Sequence, residues 1–452
     1  MTAAGGWPGN IYNVGERHER PRETDMTDKI GQPPAAQAHI PTDAELVRRA
    51  RDIGPTLLAR QAETEALTHY PEDVHEAFRA AGFYKMLMPK KYGGYECDAQ
   101  TYFQVVREIA RNCPSSGWML SQSINHTLTV ASFFSEAAQD EIFASGEFRA
   151  PLTAKPEGTA ELQPDGGWKI SGTFHYNSGA PYSTHMMSHA IPDRMPDGSK
   201  PTPMLFVAPR DSYTVLDDWG DVLGLKGSGS NSIRFDDAYI PPHYALPGHT
   251  FLSLDPKVAI GRRIHGNAMY AGSTLSFYLL GGANVSTGTA RGAVDGYEEL
   301  LLTKQLPNPP FSRRSEDVDY QRWFGTASGQ ISTAEAACDA YARQWMDLSE
   351  RVAWRREEDL RLSGIAREIV NSLCWPAVQT VIRTCGSSTI RNGQRMERVW
   401  RDFTQLYSHG WQLLFDVAAR DLARERTGAA LTDADWSPTF VEGTSGVAQH
   451  AA

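Results

Sequence analysis

Gly167-Trp168-Lys169-Ile170-Ser171-Gly172-Thr173-Phe174-His175-Tyr176-Asn177-Ser178-Gly179 reads as a strand running into a tight polar turn. Trp168 and Ile170 stand at alternate positions, the period of a half-buried strand. Asp165-Gly166-Gly167 before it and Pro196-Asp197-Gly198 after it are turn signals. Met204-Leu205-Phe206-Val207 and Ser232-Ile233-Arg234-Phe235 add further strands, ending before Pro241-Pro242. Residues 150–250 are therefore expected to form a middle β domain, a small barrel or sandwich. Upstream the pattern is helical. Pro41-Thr42-Asp43-Ala44-Glu45 is a capping box, Pro71 opens a second helix and Gly82 closes it. Ala99 to Arg111 and Ser115 to about Phe134 keep helical spacing, which predicts an N-terminal helical domain over 41–149. Downstream, Leu275 to Leu302, Tyr320 to Arg351, Leu360 to Arg383 and Arg401 to Arg426 predict a C-terminal four-helix bundle over 257–430. The fold class is α+β, mainly α.

The totals agree with a multidomain enzyme. A chain of 452 residues exceeds what one hydrophobic core organises. A net charge of −10 argues against a general nucleic-acid binder, and no run of about 18 apolar residues predicts a membrane span. Cys97, Cys113, Cys338, Cys374 and Cys385 are scattered, with no CxxC pair and no His partners at zinc spacing. They read as buried thiols of a reducing cytoplasm, with no metal site expected. Residues 1–40, rich in Gly, Pro and charge, read as a flexible extension, and 431–452 as a weakly ordered tail. Gly224-Leu225-Lys226-Gly227-Ser228-Gly229-Ser230 has neither Walker spacing nor a following helix, so it reads as a β-domain loop facing the cavity. No GxGxxG follows a strand, so no Rossmann nicotinamide site is expected.

The order helices, sheet, helices resembles the acyl-CoA dehydrogenase superfamily. The Gly167–Gly179 stretch resembles the strand pair along the flavin there. WGDVLGLKGSGSNSIRFDDAYIP (Trp219 to Pro241) resembles the end of that β domain, and CGSSTIRNGQRMERVWRD (Cys385 to Asp402) the Gly-rich turn and helix near the flavin. Many dehydrogenases of this superfamily carry Tyr-Glu-Gly after the Arg-Asp pair, supplying a carboxylate base. Here Arg401-Asp402 runs on to Tyr407-Ser408-His409-Gly410 without a Glu. His409 instead resembles a histidine of the group D flavin monooxygenases, the oxygenase components of two-component aromatic hydroxylases of the p-hydroxyphenylacetate hydroxylase type.

That resemblance implies a function and a set of roles. The activity is hydroxylation of a small aromatic or heteroaromatic molecule through a C4a-(hydro)peroxyflavin, using FMNH2 (or FADH2) and O2. A separate NAD(P)H-dependent flavin reductase supplies the reduced flavin, and the family's dimer-of-dimers homotetramer is the expected assembly. Ser178 would meet the flavin N5. His409 would act as general base or electrostatic partner, because imidazole titrates near neutrality. His126 would lie on the substrate side of the ring, and Trp118, eight residues earlier, on the same helix face as a wall of the isoalloxazine. Thr153 would lie near the flavin carbonyl edge. Gly386 and Ser387 would form a hydroxyl-rich turn against flavin or its phosphate, and Arg313 would be the cofactor-phosphate arginine. An acyl-CoA dehydrogenase or flavin oxidase with bound FAD, and a catalytically silent member of the superfold, stand as the alternatives.

Overall fold

The computed structural model describes residues 40–429; the expected extension and tail lie outside them, apart from Ile40. The capping box forms as expected, with the Glu45 N–H donating to the Thr42 hydroxyl and the Thr42 N–H to Glu45 Oε2. It starts α1 (Asp43–Ala59), followed by α2 (Gln61–Leu67), α3 (Glu72–Ala81), α4 (Ala99–Asn112), α5 (Pro114–Ile124), α6 (Thr127–Phe133) and α7 (Glu136–Ile142). Gly82 closes α3 in the left-handed region at φ 83°, as its position predicts. The helix expected from Ser115 to Phe134 is two, because the chain tightens at Asn125, whose carbonyl accepts the Leu128 N–H.

β1 (Thr159–Leu162), β2 (Trp168–Phe174), β3 (His185–Pro192), β4 (Met204–Pro209), β5 (Thr214–Val215), β6 (Ile233–Ile240) and β7 (Ala245–Leu246) form one sheet in the order β5-β6-β2-β1-β3-β4-β7. The pairing of β1 with β3 is parallel and the others are antiparallel, so the sheet is mixed. It curls on itself. Phe174 of β2, Phe206 of β4 and Phe235 of β6 meet edge to face at 5.5–5.9 Å, although β4 pairs with neither of the other two.

The remaining helices are α8 (Gly261–His265), α9 (Thr274–Thr303), α10 (Val318–Glu350), α11 (Arg356–Glu368), α12 (Trp375–Cys385), α13 (Arg395–Tyr407) and α14 (Trp411–Thr427). The expected Leu360–Arg383 helix runs from α11 into α12 through a π-helical segment, Ile369–Cys374, just before Pro376. A widened turn absorbs the missing proline N–H there. The expected Arg401–Arg426 helix is broken at Ser408–Gly410. The His409 ring takes the Trp411 N–H at 3.3 Å, so a side chain replaces a helical carbonyl. From Pro41 on, the described residues pack as one compact unit, and no helix among them is long and apolar enough to cross a membrane.

α9 is apolar and small on nearly every side, and 22 of its 30 residues are buried. Its glycines admit neighbours that no larger residue would admit. A Cβ on Gly282 would lie 1.0 Å from a carbon of the Trp411 ring. Gly282→Ala is therefore expected to displace Trp411 and to lower stability by about 1–3 kcal/mol. Denaturant unfolding of the variant against the parent chain measures this; a change within about 0.5 kcal/mol, the usual range for substitutions that touch nothing, would refute it.

Candidate active site

Ser178 sits in the turn after β2, and the backbone of that turn is knitted to the loop before β6. The Asn177 N–H donates to Asn231 O, the Gly179 N–H to Ser228 O and Gly229 O, and the Ala180 N–H to Gly229 O. Gly179 must be glycine, because φ is 93° and a Cβ would lie 2.4 Å from the Ser123 hydroxyl of α5. The Ser178 hydroxyl is buried between two partners. Trp118 Nε1–H of α5 donates to it at 2.9 Å, and Ser230 Oγ lies 2.7 Å away.

Trp118 brings in the third group. Its ring meets the His409 ring at 5.0 Å and the Trp411 ring at 5.4 Å, both edge to face. Trp411 is set by Gly282 behind it and by its indole N–H, which donates to Leu406 O. His409 is exposed, but the protein packed around its ring lowers its pKa and favours the neutral form. In that form the Trp411 N–H on Nδ1 leaves the proton on Nε2. Ser178 and His409 are thus joined through Trp118, and Trp411, which only its place two positions after His409 would have signalled, packs on both the Trp118 and His409 rings.

His126 lies in the break between α5 and α6. Its Nδ1 is 2.7 Å from Ala150 O, and a carbonyl only accepts, so Nδ1 carries the proton and Nε2 the lone pair. Burial pushes its pKa down to about 4, against the pull of that carbonyl. The Tyr278 ring of α9 stands edge to face on it at 5.2 Å. Thr153 is tied to the same region: its carbonyl accepts from His189 Nδ1, while His189 Nε2 accepts the Phe251 N–H and Phe251 packs on Tyr278. Tyr278 and His189 carry no motif and are found only by the fold.

Gly386, Ser387 and Arg313 form a separate group. α13, whose 13 residues rise about 20 Å, lies between the Gly386 turn and His409 in the chain. Gly386 is at φ 93° and Ser387 is exposed. Arg313 is exposed as well. The arginine on the turn is its neighbour Arg314, which is buried and donates to Cys385 O at 2.6 Å.

The loop carrying Ser228 and Ser230 is fastened from outside the sheet. The Leu225 N–H donates to Asp402 Oδ1 of α13 at 2.6 Å, the Gly227 N–H to the Ser115 hydroxyl and the Gly229 N–H to Thr68 O. Leu225 is held in the left-handed region at φ 53°, which costs a non-glycine residue about 1–2 kcal/mol. Asp402 is buried, and among the described residues no cation reaches its carboxylate, since Arg401 turns to Glu65 and Glu397. Burial raises its pKa to about 7, with the Leu225 N–H opposing.

Beside Ser178 and Ser230, the buried amide oxygens Asn177 Oδ1 and Asn231 Oδ1 have no hydrogen-bond partner among the described residues. A hydroxyl with two unpaired acceptors suits a planar ligand whose edge both donates and accepts, as a flavin's pyrimidine edge and N5 do. Among the described residues, no carboxylate hydrogen-bonds or stacks with Trp118, Ser178, His409 or Trp411.

The chain is similar to known proteins over most of its length. The acyl-CoA dehydrogenase N-terminal domain matches residues 41–145 and the acyl-CoA dehydrogenase C-terminal domain residues 280–411. The chain is 29% identical over 385 residues to a pigment production hydroxylase of Rhodococcus sp. (strain ATCC 21145), covering 85% of this chain and 96% of that protein. It is 26% identical over 370 residues to the flavin-dependent monooxygenase oxygenase subunit HsaA of Rhodococcus jostii (strain RHA1), covering 79% and 91%. The solved structure of XiaF from Streptomyces sp., in complex with FADH2 and glycerol, shares the fold at a TM-score of 0.78 and 23% identity, over 86% of this chain and 96% of that one.

The Asp402 clamp predicts a pH dependence. An unfolded Asp ionises near pH 4, whereas the folded chain keeps this proton to about pH 7. Between those values the folded state binds the extra proton, so stability falls as pH rises and levels off above the folded pKa. Asp359, raised by burial to about 6, contributes a slope of the same sign. Asp402→Asn keeps an oxygen for the Leu225 N–H without the charge. Denaturant unfolding across this window should show a flatter decline for the variant, by roughly 2–4 kcal/mol; parallel curves would exclude the assignment.

Proposed function

The chain belongs to the acyl-CoA dehydrogenase family, and we propose that within it the chain is the oxygenase component of a two-component flavin-dependent monooxygenase. Its substrate is a small aromatic or heteroaromatic molecule, and a separate NAD(P)H-dependent reductase supplies FMNH2 or FADH2. The observation that carries this reading is the hydroxyl, indole and imidazole set, Ser178, Trp118 and His409, with no carboxylate in contact among the described residues. Removal of an acidic α-proton from a thioester calls for a carboxylate base; oxygen transfer to an electron-rich ring does not.

Reduced flavin, when bound, supplies the electrons that put one atom of O2 onto the substrate and send the other out as water. The protein's own groups do the rest. Ser178 holds the flavin edge, and Trp118 with Trp411 forms a dry aromatic wall that excludes water. His126 Nε2 has a lone pair and accepts a hydrogen bond from a phenolic hydroxyl. A phenol, with a pKa in water of about 10, gives up that proton only as its ring takes on oxygen and the hydroxyl turns strongly acidic. His409 presents Nε2–H, which makes it a donor rather than a base in its neutral form. The base therefore passes to His126. Thr153, through its His189 tie, lies on the His126 side, while Gly386, Ser387 and Arg313 would hold the distal part of the cofactor. The same reading keeps a helical domain over 41–149, a β domain over 150–250, a bundle over 257–430 and a dimer-of-dimers tetramer in the cytoplasm. Five free buried cysteines accord with a reducing compartment.

The test is to supply chemically reduced FMN or FAD, labelled O2 and a set of phenols and indoles, and to follow label in the product. Incorporation of one labelled atom is expected. Hydrogen peroxide alone with every substrate, or bleaching of bound FAD by an acyl-CoA, would overturn the reading. His126→Ala should slow hydroxylation by about 10²–10⁴-fold with flavin affinity unchanged. Because burial holds His126 near pKa 4, the acid limb of kcat/KM should lie well below the ordinary histidine value and disappear in the variant.

A further inference from the structure

The two buried histidines His126 and His189 are set by one short stretch of chain. His126 Nδ1–H donates to Ala150 O, and His189 Nδ1–H donates to Thr153 O, three residues further on. That stretch is itself fixed, because the Ala150 N–H donates to Ser123 O of α5 and the Met187 N–H of β3 to Pro151 O. Each imidazole therefore keeps a lone pair on Nε2. His126 turns its lone pair to the substrate in the reading above. His189 gives its own to the Phe251 N–H at 3.0 Å.

Phe251 is held at both backbone groups, since its carbonyl accepts from the Thr274 hydroxyl of α9 at 3.3 Å. It lies in the loop between β7 and Pro256–Val258. Among the described residues, the other hydrogen bonds of that loop run within 246–258. Phe251 thus ties an otherwise self-contained loop to the sheet and to α9. Its ring is buried, 5.6 Å from the His189 ring and 5.6 Å from the Tyr278 ring. Tyr278 follows Thr274 by one turn on the same face of α9. It stands edge to face on His126, and its hydroxyl meets that of Thr129, one turn after His126. The contacts close on themselves, from His126 through the Ala150–Thr153 stretch, His189, Phe251 and Tyr278 back to His126. A bond at Nδ1 alone would let the His126 ring tilt about it; the Tyr278 edge fixes the plane.

We infer that His189 is a positioning residue for the His126 base: by latching Phe251 behind Tyr278 it sets the plane of the His126 ring and keeps water from it. This rests on the role given to His126 above. The titratable groups packed around His126 are Tyr278 of α9 and His189 of β3, both kept neutral by burial. Arg149, beside Ala150 in the chain, turns its guanidinium to Glu147 and Tyr182 O. Exclusion of water is therefore what holds His126 near pKa 4, and a loosened Phe251 readmits water.

The test follows the imidazoles by NMR in the full chain labelled at histidine and titrated downward from neutral pH, with no flavin added. In the parent, His126 should titrate at about 4. His189→Asn keeps a donor for Thr153 O but brings no acceptor as far as the Phe251 N–H. Phe251→Ala removes the ring and leaves both backbone bonds. Each should raise the proton affinity of His126 about tenfold or more, towards the ordinary histidine value of about 6.5. His189→Gln, whose side-chain oxygen reaches the ε position, should stay near the parent. His185, also buried on β3 with a pKa of about 4, is the control and should not move. An unmoved His126 in both His189→Asn and Phe251→Ala would overturn the inference, as would a Gln variant that titrates like the Asn variant. So would His126 and His185 rising together, which is general loosening of the strand. In turnover, the acid limb of kcat/KM should rise with the His126 midpoint. A parent in which His126 titrates as stated but which hydroxylates nothing overturns the proposed function and leaves the His189 latch standing.

Discussion

The Leu225 N–H held by Asp402 is the joint on which the site depends. Asp402 belongs to α13, in the helical part of the chain, and Leu225 to a loop of the curled sheet. The loop is not shaped to rest there, since Leu225 must take a left-handed backbone. A buried carboxylate accepting a backbone N–H offsets that strain, and the same burial keeps it half-protonated near neutrality. Arg401 reinforces the joint by reaching Leu223 O and Glu65. Through the backbone bonds from Ser228, Gly229 and Asn231, the clamped loop in turn fixes the turn that carries Ser178. A helix of the C-terminal half thereby positions a serine of the sheet against a tryptophan of the N-terminal half.

The histidines divide the chemistry by their backbone contacts rather than by their residue type. A carbonyl on Nδ1 makes His126 an acceptor at Nε2, and an N–H on Nδ1 makes His409 a donor at Nε2. Both are held neutral, so neither needs a proton from solvent to keep its role. Close-packed surroundings enforce these tautomers: Trp411 can stand edge to face beside His409 only because Gly282 has no side chain. The small residues of α9 thus bear on the active site as well as on packing.

Much of this was legible along the chain. The capping box at Thr42, the close at Gly82, the strands from Trp168, Met204 and Ile233 and the long helix from Thr274 follow from local spacing and turn chemistry, which need no distant partner. Four strands did not announce themselves: β1 and β3 carry mixed patterns, and β5 and β7 are two residues long. The breaks at Asn125 and His409 were also hidden. At each a histidine ring finds a partner outside the helical pattern, and for His126 that partner is 24 residues away.

Taken alone, the amino-acid order determined the succession of helices, strands and helices, the absence of a Glu after Arg401-Asp402, and the candidacy of Ser178, His126 and His409. These are properties of periodicity and residue type, which a linear chain carries in full. Only the tertiary structure decided that Ser230 stands behind Ser178, that Arg314 rather than Arg313 reaches the Gly386 turn, and which nitrogen of each histidine bears its proton. Those depend on contacts between residues far apart in the chain, or on a difference of one position in a turn. Hydrogen bonds act over about 3 Å, a distance that sequence separation does not encode.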